Sequence, residues 1–152
     1  MVKKKINLNN NSLIEQFGMK PYKLRVKEKY MSKRQLNHFK KILNSWKDQL
    51  EQEAEKTVNH MQNDSNTLAD PNDRATQESE FGLELRTRDR ERKLIRKIQT
   101  SLIKIDDGTF GYCQETGEEI GLQRLEARPV ASLTLEAQER REITEKQFKD
   151  SR

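Results

Sequence analysis

The stretch "LADPNDRA" (residues 68–75) decides how this chain folds, because it sets a proline and two acids between two long runs with helical periodicity. Asp70 is a good helix N-cap, Pro71 suits the first helical position, and an acid such as Asp73 is favourable in the first turn. The stretch lies near the midpoint of a 152-residue chain. We therefore predict that the chain folds back on itself here.

The run before this turn carries one narrow apolar stripe. Ser32 followed by Gln35 is a capping-box pattern and predicts that a helix starts at this point. Steps of three and four then separate the larger side chains, which are Leu36, Phe39, Leu43, Trp46, Leu50, Ala54, Thr57 or Val58, Met61 and Leu68. A stripe this narrow, kept up for about ten turns, is typical of a coiled-coil seam.

The run after the turn repeats the stripe in reverse. Its apolar members are Phe81, Leu85, Leu94, Ile98, Leu102 and Ile105. Gly108 can supply a left-handed C-cap and is predicted to end the second helix. The reversed stripes pair Trp46 with Ile95 and Leu36 with Ile105. We therefore predict a mainly α fold built on a long antiparallel coiled-coil hairpin over residues 32–108, with its tip at 69–75.

The remaining segments are shorter and less regular. Residues 1–11 are predicted to be a flexible tail, and 12–31 a segment that packs on a globular region. That region, 109–133, is small and glycine-rich, and an amphipathic C-terminal helix is predicted over 134–152. A core of this size is marginal unless a metal, disulfides or additional chain support it. Packing of the N-terminal segment would meet that need.

Composition limits the classes of protein that are possible. Only 32% of residues are hydrophobic and 36% are charged, with a net charge of +5 and a pI near 9.3. These values favour an extended or surface-rich protein and a partner with negative charge. The single cysteine fits a reducing compartment, and no apolar run reaches the length of a signal or membrane helix. We expect a cytoplasmic monomer without membrane contact.

A cysteine-like spacing suggests a metal site that has lost its ligands. Cys113, Thr116, Thr134 and Ala137 stand in the pattern C-x2-C-x17-C-x2-C, but only the first is a cysteine. Tetrahedral zinc needs four ligands, and neither threonine nor alanine supplies the thiolate or imidazole required. We predict no structural zinc. From the residues alone, an accidental spacing and a degenerate zinc site both remain open.

Charge is concentrated after the turn. The segment 86–97, "RTRDRERKLIRK", holds seven basic and two acidic residues. It is interpreted either as a solvated helix face, in which Glu91 pairs with arginines three or four positions away, or as a surface for an acidic wall or a phosphate ligand. No glycine-rich phosphate loop, nucleophile elbow or helical His-Glu pair is found, so an enzyme is not expected.

Several segments together resemble the DksA/TraR family of transcription factors that bind bacterial RNA polymerase. They are "MSKRQLNHFKKILNSWKDQL" (31–50), "DPNDRA" (70–75), "FGLELRTRDRERKLIRKI" (81–98), "FGYC" (110–113) and "EIGLQRLEARP" (119–129). The resemblance extends from about residue 18 to 148. It implies a zinc-finger-like globular domain beside a hairpin that enters the polymerase secondary channel. Many members hold that domain with four cysteines, whereas this sequence resembles the cysteine-poor branch.

The resemblance also implies roles for individual residues. At the tip, Asp70, Asp73 and Ala75 match the functional positions, and we expect Asp70 to be largely structural and Asp73 regulatory. The residues expected to contact polymerase are Arg86, Arg90 and Lys93. Those expected to form one wall of a guanosine tetraphosphate site shared with polymerase are Leu94, Lys97 and Arg128. The family's further lysine is Gln138 here, so the nucleotide response is expected to be weaker or to draw on Arg140 or Arg141.

The expected function is therefore a nonenzymatic regulator that acts in the stringent response. It would modulate the stability of open complexes at promoters such as those for ribosomal RNA, together with guanosine tetraphosphate and without contacting promoter sequence. Two alternatives belong to other classes. One is a Gre-type transcript-cleavage factor whose tip acids hold a magnesium ion in the polymerase. The other is a basic coiled-coil module that binds DNA directly, which the interspersed glutamates disfavour.

Overall fold

The computed structural model of the protein describes residues 13–64 and 70–151. The fold is mainly α, as predicted, and the helices are α1 (Leu13–Gln16), α2 (Lys33–Asp64), α3 (Pro71–Asp107), α4 (Leu122–Ala127) and α5 (Leu135–Asp150). The predicted tail 1–11, Leu68 of the stripe, residue 69 of the tip and the terminal Arg152 lie outside the described residues. Within the described ranges, no helix is both long enough and apolar enough to cross a bilayer.

The two long helices α2 and α3 pair as a hairpin, and their predicted ends agree with the structure. The Ser32 hydroxyl accepts a hydrogen bond from the Gln35 N–H at 3.4 Å. The Gln35 side chain in turn accepts a hydrogen bond from the Met31 N–H at 2.8 Å. A capping box predicts the N–H of Ser32 as this donor, which is one residue later in the chain. Gly108, with φ of 78°, directly follows α3. The sequence signals at both ends therefore predicted these boundaries correctly.

The chain divides into two compact units. The globular unit comprises Met1–Leu43 and Ser101–Arg152, and the hairpin unit comprises Asn44–Thr100. In the globular unit, Lys40 Nζ lies 3.4 Å from Asp106 Oδ1. In the hairpin unit, His60 Nε2 lies 3.7 Å from Glu84 Oε1. Each unit thus contains a contact between polar side chains that joins α2 to α3.

The interior of the globular unit is built from both ends of the chain. Its fully buried side chains include Ile14 of α1, Phe39 and Leu43 of α2, and Leu125 of α4. The rings of Phe39 and Phe110 lie 5.5 Å apart. Burial of side chains of this size contributes about 1.5–3 kcal/mol each. The segment before α2 is therefore part of the core that a region of about 25 residues would lack by itself.

Tyr30 fixes the loop of the globular unit that follows α3. Its hydroxyl donates to the Gly111 carbonyl at 2.7 Å and accepts from the Gly121 N–H at 3.0 Å. The Met31 side chain packs against Gly111, whose φ is 88°. The residues just before α2 therefore hold both ends of the loop 111–121.

Part of the predicted seam is wrong in the hairpin unit. Leu85, a predicted seam residue, is 48% exposed, whereas Glu84, Arg88 and Glu91 are half-buried. Steps of three and four traced back from the buried Ile98 reach positions 95, 91, 88 and 84, and so miss Leu85. The long stems of glutamate and arginine cover apolar surface here, and one carboxylate oxygen of Glu84 is itself buried. The middle of this seam is therefore polar.

Gly111→Ala is expected to destabilise the globular unit by about 1–3 kcal/mol. A Cβ at this position would lie 2.8 Å from Met31 Sδ, and the positive φ of 88° adds backbone strain. Gly82→Ala is the matched control, because Gly82 is helical and its Cβ would meet only Arg86 Nη2 at 4.0 Å. That control should gain about 0.5–1 kcal/mol. Urea denaturation of both variants measures the difference, and equal stabilities would contradict the packing described.

Candidate functional site

The two acids at the hairpin tip differ in what they contact. Asp70 precedes α3, and its Oδ1 accepts a hydrogen bond from the Asn72 N–H at 3.1 Å. Asp73 lies in the first turn of α3 and is exposed, as is Ala75. No hydrogen bond or ion pair of the Asp73 side chain is found within residues 13–64 and 70–151. Asp70 therefore serves as the cap, and the Asp73 carboxylate remains available to a partner.

Four basic residues of the arginine-rich segment share one exposed face of α3. Arg86, Arg90, Lys93 and Lys97 follow at steps of four, three and four, which places them on one side of a helix, and all four are exposed. The Arg86 Nε–H donates to the Gly82 carbonyl at 3.3 Å, which holds the start of this face. The adjacent Leu94 is half-buried. The structure therefore brings the predicted polymerase contacts together with Lys97.

Two other charged residues of this segment, Arg88 and Glu91, are half-buried. Arg88 lines a small cavity of about 280 Å³ together with Ala54 and Val58. Burial and the nearby charge of Glu53 raise the pKa of Glu91. In the part of the chain that is described, Glu91 forms no ion pair with the neighbouring arginines. The interpretation that Glu91 neutralises this face through helical pairs is therefore not supported.

Arg128 lies in the globular unit, whereas Leu94 and Lys97 lie in the hairpin unit. Its backbone N–H donates to the Arg124 carbonyl at 2.8 Å and closes α4. Its side chain is exposed at the edge of a groove of about 1020 Å³ that is also lined by Tyr30. Arg128 is therefore placed by the end of a short helix and is accessible to a ligand.

The residues near the missing family lysine have different partners. Gln138 Nε2 donates to Glu142 Oε1 at 2.9 Å. Arg141 Nη2 lies 3.0 Å from Glu115 Oε1. Arg140 is exposed, and its side chain makes no ion pair among the described residues. Of the two arginines, Arg140 is therefore the one whose guanidinium is not engaged by a carboxylate among the described residues.

The four positions with zinc-ligand spacing meet in the globular unit. The Thr134 hydroxyl donates to Cys113 Sγ at 3.9 Å, and it accepts from the Ala137 N–H at 3.3 Å as the N-cap of α5. Thr116 lies near the Cys113 thiol and favours its ionised form. The four residues are therefore neighbours in three dimensions, with Thr134 contacting both Cys113 and Ala137.

These residues do not fit a zinc ion. Zinc requires four donors of the thiolate, imidazole or carboxylate type, and these residues offer one thiol, two hydroxyls and a methyl group. Across residues 13–64 and 70–151, no group of three or more His, Cys, Asp or Glu side chains is arranged to hold a metal. Hydrogen bonds and the buried Ala137 methyl take the place of metal bonds here.

The Cys113 thiol should make stability depend on pH. Burial opposes its ionisation, but hydrogen bonds from the Thr116 hydroxyl and from the N–H groups of Thr134, Thr116 and Glu115 outweigh it, and its pKa falls from 9.0 to about 6. A lowered pKa stabilises the fold fully above pH 9, and this contribution is lost as the pH falls through about 6. Cys113→Ala should therefore flatten the rise in unfolding free energy between these pH values. Parallel profiles for both proteins would contradict it.

Two residues with structural roles were missed by the sequence reasoning. The sequence pattern assigns no role to His38, yet its Nε2 lies 3.5 Å from Glu126 Oε1 and its ring lies 5.3 Å from that of Tyr22. Gln35 was read only as a cap but is fully buried. A single histidine or glutamine in a polar helix gives no periodic signal, so only the packing of the distant segment at Tyr22 identifies these roles.

Comparison with known proteins agrees with this arrangement. The profile described as "DnaK suppressor protein DksA, N-terminal domain" matches residues 35–105, and "Prokaryotic dksA/traR C4-type zinc finger" matches residues 108–142. The second match covers the four zinc-ligand positions, although only one of them is a cysteine. The match therefore reflects the scaffold of a zinc finger rather than its ligands.

Relatives cover most of the chain. The protein named "RNA polymerase-binding transcription factor DksA" is 54% identical over 136 residues in Haemophilus influenzae, covering 90% of this chain and 94% of that protein. The Escherichia coli K12 protein of the same name is 51% identical over 137 residues, covering 90% and 91%. The structure of "transcription factor DksA2 from Pseudomonas aeruginosa" is 36% identical, with a TM-score of 0.72, covering 80% of this chain and 95% of that one. The helical hairpin, the zinc-finger scaffold and these identities show that the chain belongs to the DksA/TraR family, whose members are nonenzymatic transcription regulators.

Proposed function

We propose that this protein is a transcription regulator that binds bacterial RNA polymerase directly and inserts the tip of its hairpin into the secondary channel. The relatives in Haemophilus influenzae and Escherichia coli are named for polymerase binding. The protein acts as a monomer in the cytoplasm, where transcription takes place. It lowers the stability of open promoter complexes, so promoters with short-lived open complexes respond most strongly.

The unpartnered Asp73 is the observation that carries this proposal. Helix capping needs one acid, and Asp70 already supplies it through its hydrogen bond to Asn72. A second exposed carboxylate next to the turn adds to the fold only its favourable interaction with the helix dipole. Arg86, Arg90 and Lys93 on the exposed face of α3 suit an acidic channel wall, since arginine pairs with carboxylates through two parallel hydrogen bonds.

We propose in addition that guanosine tetraphosphate strengthens this effect. Lys97 and Arg128 are both exposed cations, and Leu94 offers a partly apolar surface for a base. Polymerase supplies the remaining contacts to the nucleotide. Since Gln138 replaces a cation, the response is weaker than in relatives that keep the lysine, and Arg140 recovers part of it.

Open-complex lifetime measured with purified bacterial RNA polymerase at a ribosomal-type promoter tests both proposals. The protein should bind polymerase and shorten the lifetime, and guanosine tetraphosphate should shorten it further. A protein that does not bind polymerase, or that binds it and leaves the lifetime unchanged, would contradict the proposed function. Shortening of the RNA in backtracked complexes would instead indicate a transcript-cleavage factor.

A further inference from the structure

Positive charge is concentrated in the segment that precedes α2 and in the first turns of that helix. The net charge of the whole chain does not reveal this concentration. Residues 20–41 contain nine lysines and arginines and a single acid, Glu28. Their formal net charge of +8 exceeds the +5 of the whole chain, so the remaining residues together are acidic. All of these residues belong to the globular unit and none lies in the arginine-rich face of α3. This is therefore a second, separate basic surface.

The centre of this surface is a groove of about 650 Å³, which we call the basic groove. Its extended wall precedes α2, and its helical wall is one face of α2 at positions 34, 37, 38 and 41. The residues used in the argument below are Lys20, Tyr22, Lys23, Arg34, His38 and Lys41. None of the described residues that line this groove is a carboxylate. Glu126 Oε1 accepts a hydrogen bond from the Tyr22 N–H at 2.6 Å and lies 3.5 Å from His38 Nε2, so this acid is engaged by the groove wall. An anion that enters the groove meets cations from both walls.

The only acid in this segment is already engaged. Hydrogen bonds from the Tyr22 hydroxyl, the Arg25 N–H and the Ser32 hydroxyl converge on Glu28, with the Tyr22 bond as the main cause lowering its pKa to about 2. Arg34 Nη1 lies 4.0 Å from Glu28 Oε2. Glu28 therefore offsets part of the Arg34 charge and leaves the lysines of the groove unpaired.

The cations of the basic groove are available to a ligand. Lys20, Lys23 and Lys41 are exposed and form no ion pair among the described residues. The Arg34 guanidinium lies over the Tyr22 ring, 5.1 Å from its centroid, which holds it at the wall of the groove. Three mobile point charges beside one fixed planar cation form a site for several anionic groups.

The distribution of charge favours nucleic acid over the other polyanions. Seven of the nine basic residues are lysines, and lysine is depleted in the cores of protein–protein interfaces. The charges also extend beyond the groove, at Arg25, Lys27, Lys29 and Lys33. A compact phosphate would leave most of them unused, whereas a phosphate backbone presents charges along an extended path.

We propose that the basic groove binds the phosphate backbone of duplex nucleic acid without regard to sequence. This binding is separate from the proposed contact with polymerase, because it uses the globular unit alone. It is compatible with the expectation that no promoter sequence is recognised, since phosphate contacts carry no sequence information directly.

Fluorescence anisotropy with a labelled DNA duplex of arbitrary sequence tests the proposal, using the full chain without polymerase. The logarithm of the binding constant should fall linearly with the logarithm of salt concentration. Lys20→Gln, Lys23→Gln and Lys41→Gln in one chain should lower the steepness of this line by about 3 and weaken binding at low salt at least about tenfold. A second duplex of unrelated sequence should bind equally well.

The matched control removes the same charge from another surface. Lys56→Gln, Lys146→Gln and Lys149→Gln alter three exposed cations outside the groove, and this variant should keep most of the affinity. The chain has two histidines, so the duplex should shift the imidazole NMR signal of His38, which lines the groove, and leave that of His60 unchanged. Equal losses in both triple variants would show that net charge alone is responsible and would overturn the proposal.

Two competitors decide between nucleic acid and other anions. Polyglutamate that displaces the duplex at equal charge concentration would show that the surface suits an acidic protein. Inorganic tripolyphosphate that displaces it at micromolar concentration would show a compact phosphate site. Either result overturns the proposal, and failure of both competitors supports it. Because polymerase is absent, none of these outcomes depends on the proposed function.

Discussion

Asp73→Asn is expected to leave polymerase binding intact and to abolish the effect on open-complex lifetime. The substitution keeps the size of the side chain and removes its charge. Asp73 lies in the first turn of α3, and its side chain has no partner among the described residues. Removing the charge should therefore cost the fold only the favourable interaction with the helix dipole, about 0.3–1 kcal/mol. A large functional loss would then not reflect unfolding.

Asp70→Asn is the matched control for this prediction. It removes one negative charge at a distance of only three residues, but asparagine caps helices about as well as aspartate. Its side-chain oxygen can still accept the hydrogen bond that Asp70 Oδ1 receives from the Asn72 N–H at 3.1 Å. The variant should therefore keep most of its effect on open complexes. A general requirement for negative charge at the tip would instead impair both variants equally.

The measurement is open-complex lifetime at a ribosomal-type promoter, with and without guanosine tetraphosphate, at protein concentrations that saturate polymerase. Circular dichroism should first show equal helicity for the wild type and both variants. If Asp73→Asn shortens the lifetime as the wild type does, the acids at the turn only cap the helix. The regulatory effect would then have to come from the basic face of α3 or from the globular unit.

The ends of the long helices were predictable because they depend on local chemistry. Ser32, Asp70, Pro71 and Gly108 act on backbone groups within a few residues, so their effect can be read from the order of residues alone. The seam was predictable only where it is apolar. At Leu85 the leucine suggested the wrong position, because the buried face continues through Glu84 and Arg88. Periodicity assigned by side-chain type fails where long charged side chains cover the seam.

The basic groove could not be predicted for a different reason. Its two walls come from an extended segment and from one face of α2, and nothing local indicates that Tyr22 and His38 meet. The excess of positive charge in residues 20–41 is visible in the sequence. The sequence does not show that Glu28 accepts hydrogen bonds from Tyr22 and Ser32. The Cys113 site was predictable in part. Its ligand spacing is evident in the sequence, but the hydrogen bonds around the thiol are not.

Introducing Thr116→Cys, Thr134→Cys and Ala137→Cys together is expected to create a site for one Zn²⁺ ion. A tetrahedral tetrathiolate site with Zn–S bonds of about 2.3 Å separates its sulfurs by about 3.8 Å. Cys113 Sγ already lies 3.9 Å from Thr134 Oγ1, and Ala137 is the third residue of α5, directly beside its cap. The scaffold therefore places two of the four atoms at the separation that zinc requires.

The metal should raise the stability of this triple variant strongly and leave the wild type unchanged. Zinc at about 1,000 times its Kd would add roughly 4 kcal/mol, a rise of about 8–16 °C in Tm for a chain of this size. Without metal, the variant should be about 1 kcal/mol less stable than the wild type, because cysteine is a poorer N-cap than Thr134. Thermal unfolding with zinc and with EDTA measures both effects.

A second variant keeps Ala137 and carries only Thr116→Cys and Thr134→Cys. It distinguishes a tetrahedral four-thiolate site from nonspecific binding of zinc to thiols. Three sulfurs leave one zinc position to water, so its Tm should rise much less. The spectrum of bound Co²⁺ should indicate tetrahedral thiolate coordination in the triple variant alone. If the triple variant binds no zinc, or if zinc also stabilises the wild type, Cys113 and its three partners do not form a degenerate zinc site. If zinc stabilises only the triple variant, the globular unit has kept the geometry of a metal centre. In the wild type, hydrogen bonds to the Cys113 thiol maintain that geometry instead of a metal.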